Sequence, residues 1–299
     1  RSWNAPDPAD DGVSLLADTL AELTPAAGRI GIPMGLESHL RMPVADFLRL
    51  QELIAPRRIA DGTAAVYRVR EIKSEAEIAK IRATCAIADA AFERVPEFAR
   101  KGVPLSQVFR DFQVALLQEG ADWVSYVAGA AGQGGYGDVI SPADDRPLQT
   151  GDVLMLDTGA VREGYFCDFD RNFAIGAPSR DVRAAHRRLL EAVDAAMEIA
   201  RPGVSAADLF HVMDAIVTGG QGGSDTGRLG HGLGTQLTEW PSLIPQDRTR
   251  IEAGMVLTLE PGMQFGENKL MVHEENLVIR EEGPQLLTRR APEELPVIS

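Results

Sequence analysis

The sequence predicts an α+β protein whose larger part is built twice from one plan, and three observations predict it. Gly102-Val103-Pro104-Leu105-Ser106-Gln107-Val108-Phe109 is answered 101 residues later by Gly203-Val204-Ser205-Ala206-Ala207-Asp208-Leu209-Phe210. Gly151-Asp152-Val153-Leu154-Met155-Leu156-Asp157-Thr158-Gly159 is echoed 103 residues later by Gly254-Met255-Val256-Leu257-Thr258-Leu259-Glu260-Pro261-Gly262. Segments of helical period alternate with short apolar runs of strand character. Each half therefore carries a helix start and then a strand that ends on a carboxylate. A repeat of this kind constrains the whole architecture. Two related halves, each of helices backing a curved sheet, give an α+β domain over residues 73–299.

The elements follow in order. In residues 1–66, Asp11-Gly12, Pro25, Gly28 and Pro33 punctuate a helix (14–23), a short strand (29–32) and a second helix (43–53). That is too little for an independent α/β domain, so this segment is expected to be part of one. A helix is expected from Ser74 to about Val95, with Ser74 as N-cap and Glu75 and Glu77 near its positive end. Its buried stripe is Ile78, Ile81, Cys85 and Ala88. Residues 104–118 and 206–217 repeat that pattern, and a longer helix (182–200) closes before Pro202. The runs at 153–156 and 256–259 are apolar with adjacent glycines, as buried sheet requires.

Composition narrows the function classes. The hydrophobic and charged fractions, 44% and 25%, are those of an ordinary globular protein, and no apolar run approaches the roughly 18 residues of a membrane span. A net charge of -14 with dispersed Lys and Arg sets nucleic acid and anionic membranes aside as partners. The expectation is a soluble, cytoplasmic protein. Its two cysteines, Cys85 and Cys167, are too few for a disulfide framework and are expected reduced and buried.

The chemistry is expected in the two duplicated hairpins. A turn centred on Arg162-Glu163 and closed by Gly164 pairs residues whose numbers sum to 325, which makes Asp157 and Asp168 cross-strand neighbours. In the second half, a three-residue loop Gly266-Glu267-Asn268 gives pairs summing to 534, which Glu260 and Glu274 satisfy. Two acidic pairs then meet across the pseudo-twofold, and carboxylates this close need a compensating cation to stay ionised. His231, in Gly230-His231-Gly232-Leu233-Gly234, supplies an imidazole, its flanking glycines allowing close backbone approach to a metal or ligand. Taken alone, such a histidine serves equally well as the cap of a turn. Four carboxylates and an imidazole form a hard, oxygen-rich set suited to two divalent ions about 3.5 to 4 Å apart, manganese or Fe(II) first, cobalt or zinc also possible.

These segments, together with Asp157-Thr158-Gly159-Ala160, Gly164-Tyr165 leading to Asp168 and Arg171, Leu259-Glu260-Pro261-Gly262 and Glu274-Glu275-Asn276, resemble the pita-bread family of creatinase, prolidase, aminopeptidase P and methionine aminopeptidase. The resemblance covers residues 73–299 and implies the pita-bread fold, with two metals held by Asp157, Asp168, His231, Glu260 and Glu274. Arg70-Glu71-Ile72-Lys73-Ser74 resembles the junction that follows the N-terminal domain in the prolidase and creatinase branches, and relatives with that domain imply a homodimer. The implied activity is that of an Xaa-Pro dipeptidase or aminopeptidase on short peptides, with a metal-bridged hydroxide attacking an amide carbon. Glu260 or a neighbouring carboxylate takes its proton in that scheme.

The sequence also departs from the proline-specific pattern. Two further histidines are expected of such members, one in residues 127–141 and one soon after the Gly-His-Gly motif. The first stretch contains no histidine, and Thr238 stands at the second position, followed by Glu239-Trp240-Pro241. Tyr136, Asp138 and Glu239 are the candidates to supply general acid-base help, worth typically about 10²- to 10⁴-fold in rate, with a solvated surface charge as the alternative for Glu239. Asp170 is expected as an acid behind the ligands or as an extra ligand, and His273 on the opposite sheet face. The run Gly132-Gln133-Gly134-Gly135 lacks the lysine and helix of a phosphate loop and is expected to shape the substrate entrance. Two alternatives stay open: a hydrolase or lyase of a small metabolite such as ectoine, creatine or dimethylsulfoniopropionate, and a non-catalytic binding module.

Overall fold

A computed structural model describes residues 7–36, 38–140, 142–223 and 227–299. Ser141, at the end of the stretch expected to hold a histidine, lies outside the described residues, as do residues 1–6 and Glu37 of the N-terminal segment. The chain divides into two compact units, residues 1–70 and 71–299.

In the first unit, α1 (Val13–Leu23), β1 (Arg29–Ile32) and α2 (Val44–Leu53) stand where punctuation places them. The sequence reading misses β2 (Arg58–Asp61) and α3 (Thr63–Glu71). Strand β2 pairs parallel with β1, Ile30 opposite Ile59. Its charged ends leave no run of strand type to read, so pairing rather than propensity decides it. Val13, Ala17, Leu50 and Ile54 form the small core of this unit.

The second unit opens with α4 (Glu75–Glu93), whose N-terminus carries a full capping box between Ser74 and Glu77. It continues through α5 (Val95–Phe98), α6 (Leu105–Gln118), β3 (Trp123–Gln133), β4 (Asp152–Arg162), β5 (Tyr165–Phe166) and β6 (Phe169–Ile175). The second half supplies α7 (Arg180–Ile199), α8 (Ala206–Val217), β7 (His231–Gly232), β8 (Glu239–Ser242) and β9 (Val256–Leu259). After these come β10 (Gly262–Gly266), β11 (Lys269–Val272), β12 (Glu275–Arg280), β13 (Gly283–Leu286) and β14 (Val297–Ile298). One sheet runs β14-β6-β4-β3, with β5 on β4, and the other runs β13-β12-β9-β7-β8.

The duplication is visible in the hydrogen bonds. The Gly102 amide donates to the Leu148 carbonyl at 2.8 Å, and the Gly203 amide donates to that of Ile251 at 2.9 Å. Gly151 to Ile175, at 2.7 Å, is matched by Gly254 to Ile279, at 2.9 Å. Two cores back the sheets, each drawing side chains from both halves. Ile81, Phe112, Leu156 and Phe169 pack α4 and α6 on the first sheet, and Leu189, Phe210, Met213 and Leu257 pack α7 and α8 on the second. Each such side chain, removed wholly from water, contributes about 1.5 to 3 kcal/mol.

The two hairpins differ in how they meet expectation. In the second, Met263 faces Met271 and Leu259 faces Glu275, so the pairs sum to 534 on both sides of Glu260 and Glu274. Its tip is tighter than a three-residue loop, because Gly266 pairs with Lys269 and an irregularity at Phe265 takes up the difference. In the first hairpin the expected register is corrected. Arg162 pairs with Tyr165, and Asp157 stands opposite Asp170 rather than Asp168, giving a sum of 327. The physical reason is the turn: Glu163 and Gly164 both adopt positive φ, 50° and 79°, so they are the two central residues of a tight hairpin turn.

Candidate metal centre

Four of the five expected ligands line one cleft, and the fifth, Glu274, lies close to two of them. Asp157 projects from the middle of β4, paired with Ala128 on one side and Asp170 on the other. Asp168 sits just before β6, in the stretch of the hairpin facing Gly159, and is buried. Asn276 holds its peptide group from across the pseudo-twofold. The Asn276 Oδ1 accepts the Asp168 amide at 3.0 Å while its Nδ2 donates to the Asp168 carbonyl. The Cys85 thiol donates to the same Oδ1 at 3.4 Å, and both cysteines are free and buried.

His231 is 2% exposed, and its amide donates to Thr258 Oγ1 at 3.1 Å. Its Nδ1 lies 2.8 Å from the Gly232 carbonyl. A carbonyl can only accept, so Nδ1 carries a hydrogen and Nε2 faces the acids, 3.2 Å from Asp168 Oδ2. The flanking glycines have a different cause from the expected approach to a ligand. A Cβ on Gly230 would lie 2.2 Å from the Thr258 carbonyl oxygen, and one on Gly232 2.3 Å from that of Trp240, so they let β7 fit between its neighbours.

Glu260 follows β9, its amide bonded to the Leu229 carbonyl at 3.0 Å, and Glu274 precedes β12. Asp168, His231 and Glu274 each place a ligand atom within 4.8 Å of the others. Asp157 and Glu260 line the same cleft, of about 500 Å³, with Asp168 and His231. Burial, then Asp168 and Asp170, hold the Asp157 carboxyl well above its usual range. Burial, then Asp168 and Glu260, do the same to Glu274. Burial outweighs the attraction of His231 and pushes Glu260 up to about 7. Glu274 Oε1 is buried with no hydrogen-bond partner among the described residues. Crowded carboxylates, one orphaned oxygen and an imidazole with Nε2 turned toward them are the donor set a divalent cation satisfies.

Sequence reasoning overlooks Tyr126. Its hydroxyl lies 3.0 Å from Asp157 Oδ1 and is also hydrogen-bonded to Asp168 Oδ1. It reaches them across Gly159, where a Cβ would come within 2.6 Å of the tyrosine ring, so the glycine after the first acid makes room for it. The β3–β4 register shifts between Val124 and Val127, and no residue type announces such an irregularity.

The structure does not bring Glu239 to the cleft wall. Its carboxylate is 3.0 Å from Lys73 Nζ, both side chains being almost fully buried, and it accepts the Gln236 amide at 3.1 Å. The other two acid-base candidates are engaged elsewhere. The Tyr136 hydroxyl is buried between Asn172 Oδ1 and the Val272 amide, at 3.0 and 2.8 Å, and Asp138 caps the amides of Val139 and Ile140. Asp170 lies behind Asp157, within 3.8 Å of the buried His273 and 3.3 Å of Asn172 Nδ2. His273 and Arg171 face Glu275 at 3.3 and 2.9 Å, and Arg171 Nη1 donates to the Glu274 carbonyl at 2.9 Å. The Gly132–Gly135 run packs on Phe265 and Lys269, while Ile140 and Pro142 reach the cleft beyond it.

Comparison with known proteins bears on this arrangement. The description of metallopeptidase family M24 matches residues 79–282. An uncharacterized peptidase of Staphylococcus aureus is 30% identical over 233 residues, 76% of this chain and 65% of its own length, so the chain spans about two thirds of that relative. An Xaa-Pro dipeptidase of Pyrococcus horikoshii is 29% identical over 259 residues, 86% of this chain and 73% of its own. The crystal structure of an X-Pro aminopeptidase from Thermotoga maritima aligns with TM-score 0.84 at 27% identity, over 100% of this chain and 82% of that one. An Xaa-Pro dipeptidase from Bacillus anthracis aligns equally well, with TM-score 0.84 at 26% identity, over 95% of this chain and 78% of its own. The chain belongs to metallopeptidase family M24 and has the pita-bread fold.

Proposed function

We propose that this protein is a dinuclear metal-dependent hydrolase of short peptides, of the Xaa-Pro dipeptidase or aminopeptidase type. The observation that carries the reading is that Asp157, Asp168, His231 and Glu260 line one cleft, that Glu274 offers a ligand atom within 4.8 Å of those of Asp168 and His231, and that burial and neighbouring acids raise the Asp157, Glu260 and Glu274 carboxyls above their usual range. Asp157, Asp168, His231, Glu260 and Glu274 would hold divalent cations, which would supply an activated water and polarise the scissile carbonyl. Manganese suits the four carboxylates and one imidazole best. Glu260, on the cleft wall, accepts the proton of the attacking water and passes it to the leaving amine. His231 is fixed by its Nδ1 contact to Gly232 so that Nε2 always faces the acids. Tyr126 orients the Asp157 and Asp168 carboxylates toward each other. Val127, Ile140, Pro142 and Leu237 give the cleft an apolar wall that excludes water and fits a prolyl ring.

In this reading Glu239 holds the loop after His231 rather than moving protons. A homodimer and a cytoplasmic location go with it. The location is supported by two buried free thiols. No helix among the described residues is long and apolar enough to cross a membrane. The test is hydrolysis of Xaa-Pro dipeptides and longer Xaa-Pro peptides by protein reconstituted with manganese, cobalt or Fe(II). Small zwitterionic osmolytes are run beside them. Turnover of osmolytes alone, or of nothing, would overturn the peptidase assignment, and the Glu260→Gln enzyme must lose the activity while still binding metal.

A further inference from the structure

A second cavity, of about 280 Å³, lies among α4, α5, β6, α7 and the stretch 289–296 that leads into β14. It shares no lining residue with the metal cleft. Its surface is mostly apolar, supplied by Phe92, Pro96, Phe173, Ala291, Pro292 and Pro296. The charged groups that reach this wall are already engaged. Arg171 meets Glu275 at 2.9 Å, Arg289 pairs with Glu93, Arg290 pairs with Asp194, and Asp89 accepts the Arg289 amide at 2.8 Å. His273 sits against Asp170 and Glu275.

A hydrogen-bond acceptor is left over. His186 lines the cavity, is 3% exposed, and has its Nε2 2.9 Å from the Pro292 carbonyl. A carbonyl only accepts, so Nε2 carries a hydrogen, and burial, which pulls the pKa down to about 4, keeps the ring neutral at neutral pH. Nδ1 is then an acceptor, and it is buried with no hydrogen-bond partner among the described residues. The fold already bears the cost of stripping water from this nitrogen, so a donor brought by a ligand gains a hydrogen bond without an exchange against water. An apolar cavity of roughly 150 Å³ takes up benzene, so this one has room for a fused pair of rings. We propose that the cavity is a binding site for a small neutral aromatic molecule of one or two rings, whose N–H or O–H is accepted by His186 Nδ1. A neutral ligand suits it because the charges of the wall already have partners. The site does not depend on the hydrolase reading, although Arg171, on its wall, also donates to the Glu274 carbonyl at 2.9 Å.

The probes are indole and indene, alike in shape and differing in the N–H. The full chain, loaded with diamagnetic zinc, is titrated with each and followed by NMR through the ring nitrogens of its 5 histidines. Indole is expected to bind at least about threefold more tightly than indene and to shift the His186 Nδ1 resonance, while the His231 resonances stay in place. His186→Phe keeps a ring in the wall and removes the acceptor, so it binds the two probes equally. Binding of neither probe at millimolar concentration, equal affinity of the two for the wild type, or a preference for indole that survives His186→Phe overturns the proposal. So does a response at His231 alone, which places the probe in the metal cleft. Should His186→Phe fail to fold, the wild-type preference and the His186 shift decide the matter together, and the absence of either refutes the site.

Discussion

Asn276→Ala isolates the clamp that fixes Asp168. Asn276 is 0% exposed, and its side-chain amide closes both the N–H and the C=O of the Asp168 peptide while also accepting the Cys85 thiol. Alanine leaves a buried peptide group unpaired on two sides, each orphan costing about 1 to 3 kcal/mol, and opens a small void. A loss of about 3 kcal/mol follows, which lowers the melting temperature of a domain this size by roughly 6 to 12 °C. Because this clamp fixes the backbone that carries Asp168, metal affinity is expected to fall at least about tenfold. Asn276→Asp keeps the acceptor but turns a second oxygen toward the Asp168 carbonyl, and is expected to be no better. The assays are thermal melts of chelator-treated protein and calorimetric titration with manganese. If Asn276→Ala melts within a degree or two of wild type and binds manganese equally well, the clamp does not position the ligand and the reasoning fails.

Lys73→Met is expected to cost about 3 kcal/mol, since it leaves the Glu239 carboxylate in a buried setting without its ammonium partner. Combining it with Glu239→Gln should cost less than the sum, and an additive result in urea melts would show that the two are not coupled. Tyr126→Phe removes the hydroxyl shared by Asp157 and Asp168, so manganese affinity in a competition titration should drop about tenfold with the melting temperature nearly unchanged. His186 is buried, its Nε2 is 2.9 Å from the Pro292 carbonyl, and burial pulls its pKa down to about 4. The unfolded chain, with the histidine near 6.5, binds the proton that the folded state refuses between those values. Stability is therefore unaffected above about pH 6.5 and falls by about 2 kcal/mol by pH 5. His186→Gln, compared by denaturant melts at pH 7 and pH 5, should lack that part of the loss. A parallel loss in both proteins would refute it.

The features legible in the sequence are those encoded locally or by repetition. Ser74 and Glu77 announce the start of α4, and the two echoes announce two halves, because caps and repeats are patterns of adjacent residues. Contacts across long separations carry no such mark: Lys73 meets Glu239, Asn276 brackets Asp168, and Tyr126 crosses Gly159. The misplaced turn is instructive in its size. Glu163 adopts φ 50° without being glycine, asparagine or aspartate, the residues by which such a turn is ordinarily legible, so the centre is read one residue early and the register two too low. A slip of one in the pairing would have sent every side chain to the other face of the sheet. A slip of two preserves the face. Asp157, Asp168 and Asp170 therefore remain on one side of the β4–β6 ladder in either register, and what changes is which acid stands directly opposite and which lies on the diagonal. The diagonal acid, not the opposite one, then shares the Tyr126 hydroxyl and faces His231, while Asp170 retreats behind Asp157 to His273 and Asn172. Parity along the strands, more than register, is what a hairpin of this kind must keep for its carboxylates to meet.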